Sequence, residues 1–101
     1  MLAAAREARQ FVVGKSEKDV QGDRQLALAL LKCVEIIGEA AARIGSETRV
    51  QHAGLPWNEM VGMRNRLVHN YFDVDLSLLW TTVADDLPAL IANLERIVER
   101  R

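Results

Sequence analysis

The chain has too little of several things to belong to many protein classes. One cysteine in 101 residues rules out an intramolecular disulfide. Cys33 lies among Leu30, Leu31 and Val34, so it reads as a small apolar packing residue in a protein of a reducing compartment. Charge of one sign is also missing. Thirteen Lys plus Arg stand against fourteen Asp plus Glu, which excludes a global basic field, so any nucleic-acid contact must be local. No basic residue falls between Arg66 and Arg96, where Asp73, Asp75, Asp85 and Asp86 lie. No window approaches the roughly 20 apolar residues of a membrane span, and Met1 to Glu7 lacks the charged and apolar regions of a secretory leader. The expectation is a soluble, cytoplasmic protein without membrane contact. Period-two alternation, internal repeats and low-complexity tracts are absent too.

What is present is a chain of 50% apolar residues arranged in helical order, read as a single domain over residues 1–101. Its core should be of modest stability, which a dimer would help. Helix-forming residues run from Leu2 to Val13, with Gly14 as a left-handed stop. Ser16 and Asp19 can cap a short turn, and Gly22-Asp23 opens a second long helix from Arg24 to Ile44. Its apolar stripe is Leu30, Val34, Ile37, Ala41 and Ile44, and Gly38 in its middle predicts close approach of another helix. Gly54-Leu55-Pro56 is a break. A third helix is expected from Pro56 to about Tyr71, and a fourth, capped by Asp73 or Asp75, carries a stripe from Leu76 to Val98 that Pro88 would bend. The simplest assembly is an all-α antiparallel bundle of four main helices.

Chemistry concentrates in Arg64-Asn65-Arg66-Leu67-Val68-His69-Asn70-Tyr71, which puts guanidinium, imidazole and phenol groups at one helix end. On an unbroken helix the side chains of Arg64 and His69 would point about 140° apart. Either the helix unwinds near Val68 to Asn70, or two copies of the chain build the site across a two-fold axis. Two histidines would suit RNA cleavage by internal transesterification, one taking the 2′-hydroxyl proton and one protonating the leaving 5′ oxygen. Arg64 would stabilise charge on the phosphate, with Asn65 and Arg66 as supporting phosphate contacts. Neither a metal nor a cofactor enters this scheme. Nearby arginines should favour neutral His69 imidazole. Alone, such a cluster is more often a surface pair beside a core tyrosine than a catalytic site, with Arg66 simply solvated and His69 with Asp73 a local pair rather than two metal ligands. His52 has no evident partner, and Trp57 and Trp80 read as core or dimer contacts.

The pattern Arg-x4-His-x-Tyr resembles the HepT-like toxins of the HEPN ribonuclease superfamily. The resemblance extends to Ile36-Ile37-Gly38-Glu39-Ala40-Ala41, Leu55-Pro56-Trp57, Met63 to Phe72 and Asp75 to Trp80, and covers most of the sequence from about Asp23 onward. Asn70 stands where glycine is often found, and the first helix is short for such chains, so Met1 would be a late start. The resemblance implies a HEPN-like helical bundle that dimerises to form a metal-independent RNA-cleaving cleft from Arg64 and His69 of both subunits. It also implies a toxin-antitoxin pair in which a minimal nucleotidyltransferase antitoxin transfers AMP from ATP to Tyr71. A reading of another class is a catalytically silent dimeric module that presents a nucleotide or substrate to a separate nucleotidyltransferase.

Overall fold

In the computed structural model, which describes residues 1–70 and 73–99, α2, α3 and α6 begin where a side chain satisfies the first backbone donors. The helix α1 spans Leu2–Phe11 and buries Ala4, Ala5 and Ala8, small residues that let its neighbours come close. Gly14, at φ 73°, makes the turn that follows. Ser16 and Asp19 form a reciprocal capping box for α2 (Glu17–Gly22), with the Ser16 N–H donating to the Asp19 carboxylate at 2.7 Å. That bond holds the Asp19 carboxyl below its ordinary pKa, so the cap contributes above the usual carboxylate range and is lost as pH falls through the lowered value. Asp23 accepts from the Leu26 N–H at 3.1 Å and starts α3 (Arg24–Ala42). After α4 (Ser46–Gln51), α5 covers Trp57–Leu67. A minimal antiparallel ribbon follows, β1 (Val68–Asn70) with β2 (Asp73–Val74). Asp75 then caps α6 (Leu76–Thr81) by accepting from the Leu78 N–H at 2.9 Å. A π-helical turn over Thr82–Asp86 connects α6 to α7 (Leu87–Glu99).

The class is all-α, and the main helices are α1, α3, α5 and the continuous run from α6 into α7. Their senses follow from residue pairs. Glu35 meets Arg64 while Gly38 meets Met60 and Val61, so α3 and α5 are antiparallel. Arg6 pairs with Glu95 while Arg9 reaches the Val83 carbonyl, so α1 opposes the last helix in the same way. Extents of 41 × 29 × 16 Å describe a slab about two helices thick. Its core is drawn from every main helix: Ala5 and Ala8 of α1, Leu30, Val34, Ile37 and Ala41 of α3, Met60, Met63 and Leu67 of α5, and Leu79, Val83, Leu87 and Leu90 of the last run. Cys33 belongs to this core. Burial and the neighbouring Glu7 carboxylate, 3.8 Å away, raise its pKa, so the thiol is an unreactive packing group. No described helix is long and apolar enough to cross a membrane.

Gly38 marks the closest approach of α3 and α5. A Cβ there would meet the carbonyl oxygens of Met60 at 3.2 Å and Val61 at 3.4 Å. Both obstacles are backbone, so neither can swing aside. Overpacking costs about 1–3 kcal/mol, and the better helix propensity of alanine returns about 1 kcal/mol. Gly38→Ala should therefore lower stability by on the order of 1 kcal/mol, read from denaturant midpoints at unchanged slope. An unchanged or raised midpoint would show that the helices can separate freely.

Several local expectations are corrected. The third helix ends at Leu67, not at Tyr71. Val68 is β-branched and takes φ −113°, ψ 109°, and the Leu67 carbonyl accepts from the Asp75 N–H at 2.7 Å. The residue just after β2 thus satisfies a carbonyl that a longer helix would have used. A ribbon of three residues against two is too short to show as alternation in the sequence. Asp75 is the cap of α6, whereas Asp73 sits in β2. Pro88 acts one turn upstream of itself. It lacks the N–H that would reach Ala84, and the backbone answers with a widened turn in which the Leu87 N–H bonds to the Thr82 carbonyl. Arg9 donates to the Val83 carbonyl within that turn at 3.3 Å. Trp57 and Trp80 are half-buried against the core, as expected. The Trp57 indole N–H donates to the His52 carbonyl at 3.1 Å, which gives His52 a backbone role in fixing that ring.

Candidate active site

The last turn of α5 carries Arg64, Asn65 and Arg66, and the strand that follows carries His69. Helical geometry separates the first three. Arg64 and Arg66 are two positions apart, about 200° around the axis, and so face different grooves. Arg64 and Asn65 line a hollow of about 190 Å³ between α3 and α5, together with Glu35 and Glu39. Arg66 turns the other way. Its guanidinium donates to the Glu59 carbonyl at 2.9 Å and lines a groove against α7 with Asp85 and Asp86. The structure therefore brings Arg64 and Asn65 together and leaves Arg66 on the opposite flank of α5.

Arg64 stands on a crest. On its other side lies a second hollow of about 260 Å³ whose walls are Val20 and Gln21 of α2, Arg24, Ala27, Leu28 and Leu31 of α3, the ribbon residues Val68, Asp73 and Val74, and Leu76. The Arg64 Nε is 3.6 Å from the Glu35 Oε1, and the two side chains are 48% and 31% exposed. That separation is an ion pair rather than a hydrogen bond, and at such exposure it contributes about 0–1 kcal/mol. It aims the guanidinium without consuming its donors. Glu35, which orients Arg64, was not legible as a site residue because nothing in the linear pattern links it to a position on another helix. Its spacing from Gly38 in α3, opposite the α5 packing face, is the signal that could have found it.

The backbone change at Val68 determines where the motif histidine can act. The chain leaves the helix before His69, so Arg64 projects from α5 while His69 belongs to β1 beside the larger hollow. Of the two ways of reconciling the spacing of Arg64 and His69, unwinding at Val68 is present in the single chain. The His69 side chain and Tyr71 lie outside the described residues. Among the described residues no three His, Cys, Asp or Glu side chains gather closely enough to hold a metal ion.

The arrangement can present an exposed cation to a phosphate, and the strand that follows, which carries His69, runs beside the same hollow. Comparison with known proteins points the same way. A family model described as ribonuclease HepT-like matches residues 1–97. A protein of Thermococcus cleftensis named "Probable ribonuclease HepT" is 39% identical over 80 residues, covering 79% of this chain and 73% of its own. A protein of Caldanaerobacter subterraneus subsp. tengcongensis named as a candidate RNase is 36% identical, covering 88% of this chain and 80% of its own. Another protein named as a candidate RNase, from Methanocaldococcus jannaschii, is 34% identical, covering 94% and 87%. No solved structure is a significant match. The family match runs from α1 into α7 and takes in the whole Arg64 to Tyr71 segment, and the chain belongs to the ribonuclease HepT-like family.

Proposed function

We propose that this protein is a ribonuclease that cleaves RNA by internal transesterification without a metal, with Arg64 and His69 as its catalytic groups. The observation that carries the reading is the end of α5 at Leu67, which sets an exposed Arg64 on the helix and His69 on the strand beside one cleft. In the reaction the 2′ oxygen attacks phosphorus and the bond to the 5′ oxygen breaks, leaving a 2′,3′-cyclic phosphate and a 5′-hydroxyl. One imidazole takes the 2′-hydroxyl proton and another protonates the departing oxygen. Two imidazoles from two chains meet that need, and the active form is a homodimer. Arg64 meets the charge that grows on the non-bridging oxygens, and Asn65 orients the same phosphate. Arg66, on the far flank, contacts RNA backbone beyond the scissile bond.

The protein acts as the toxin of a toxin-antitoxin pair and is neutralised when a nucleotidyltransferase antitoxin modifies Tyr71. The phenol oxygen attacks the α-phosphorus of ATP, releasing pyrophosphate and leaving AMP on the ring. Tyr71 follows His69 by two residues, so the added phosphate brings bulk and negative charge next to Arg64 and His69 and repels RNA. Tyr71→Phe should retain cleavage and accept no AMP from the antitoxin, as read by intact mass. An AMP adduct on the variant would place the acceptor elsewhere.

A further inference from the structure

The larger hollow beside Arg64 contains a second arginine for which the reaction as proposed has no use. Arg24 reaches it from the first turn of α3 and is exposed. Among the described residues it makes no ion pair or hydrogen bond, in contrast to Arg64 with Glu35 and Arg66 with Glu59. Its position does not serve the helix either. The first turn of α3 has no acidic residue, and a cation at a helix start works against the macrodipole. An unpaired cation placed at a helix's expense, in a cleft, is a departure from local stability of the kind that functional sites show.

The rest of the hollow suits a nucleotide. Leu28, Leu31, Val68 and Val74 supply an accessible apolar lining of the kind that receives the faces of a base, and Gln21 and Asp73 supply donor and acceptor atoms for its edge. At about 260 Å³ the space lies just below the roughly 300 Å³ at which pockets for drug-sized ligands begin, so it takes one nucleotide and not a stretch of them. Arg24 comes from α3 and Arg64 from α5, and successive phosphates of a strand can meet one guanidinium each.

Resting on the ribonuclease reading above, we propose that the cleft between α2, α3 and the β-ribbon seats one nucleotide of the RNA adjoining the scissile phosphate, and that Arg24 is a positioning residue that holds the neighbouring phosphate. Arg24 touches a phosphate that does not react, so its removal weakens binding and spares the chemical step. Arg24→Ala should raise KM for single-stranded RNA by about tenfold, the share of one charge-assisted hydrogen bond, with kcat within about twofold of wild type. The slope of log affinity against log salt should fall by about 0.7, the share of one phosphate neutralised on a single strand. Arg24→Lys should restore the slope and part of the KM, and Arg24→Glu should exceed the alanine effect. A structural role would move none of these, and equal melting temperatures for the variants check that the fold is kept.

Cleavage kinetics and the binding of a fluorescently labelled oligoribonucleotide, measured on the same proteins, separate this inference from the reading it rests on. Wild-type cleavage with KM and salt slope unmoved by Arg24→Glu overturns the nucleotide seat and leaves the ribonuclease standing. Absent cleavage with binding that still depends on Arg24 supports the seat and overturns the ribonuclease. Binding by neither protein overturns both.

Discussion

RNA cleavage by His69→Ala is expected to fall by about 10² to 10⁴, the usual contribution of a positioned acid or base. In a dimer both copies are changed at once, so the upper part of that range is expected. The fold should tolerate the change. β1 is held to β2 by backbone pairing and to the core through Val68, and backbone pairing does not depend on the imidazole. Loss of activity with an unchanged melting temperature therefore reports chemistry. The pH profile gives an independent sign. A neutral imidazole must accept one proton and a protonated one must donate another, so wild-type cleavage should pass through a maximum between about pH 5 and 8. A rate that is flat across that range, or a variant that cleaves as wild type does, would remove His69 from the mechanism.

Arg64→Ala is the second large effect, a loss of about 10² to 10³ in kcat, as for removal of one electrostatic donor at a developing charge. Its effect on stability should be small, because the pair with Glu35 is exposed and 3.6 Å long. The two variants together test whether the site is shared. If Arg64 of one chain works with His69 of the other, heterodimers of Arg64→Ala and His69→Ala chains regain part of the activity that each homodimer lacks. Verified heterodimers without recovery would confine each site to one chain.

These expectations rest on features that differ in how openly the sequence displays them. The helices were legible where apolar residues recur with helical spacing over long stretches, as in Leu30, Val34, Ile37 and Ala41 of α3. Caps were legible where the capping side chains lie within a turn of the helix start, as at Ser16 with Asp19, at Asp23 and at Asp75. Gly38 gave away the α3 and α5 crossing because glycine inside a helix needs a reason, and the Met60 carbonyl supplies it. The ribbon was hidden. Five residues carry too little pattern, and what ends α5 is a bond from Asp75 to Leu67, an interaction across the chain reversal that no local propensity encodes. The site divided the same way. Arg64, Asn65, Arg66, His69 and Tyr71 lie within one eight-residue stretch and could be picked out together, but the turning of Arg66 toward Asp85 and Asp86 follows from its helical phase and the position of α7. Glu35 meets Arg64, and Arg24 lines a hollow with it, only through packing of α3 on α5 and the ribbon, so their place beside the motif appears only in three dimensions.

On the mechanism proposed above, the cleft at the end of α5 cleaves RNA with side chains alone. That mechanism is tested most directly by incubating AMP-free wild-type protein, its mass verified, with mixed cellular RNA in excess chelator and analysing the new ends. Cleavage that persists in chelator and leaves 2′,3′-cyclic phosphate and 5′-hydroxyl ends is the expected result. Correctly folded, unmodified protein that leaves the RNA intact, or cuts it only when a divalent cation is restored, would contradict the mechanism.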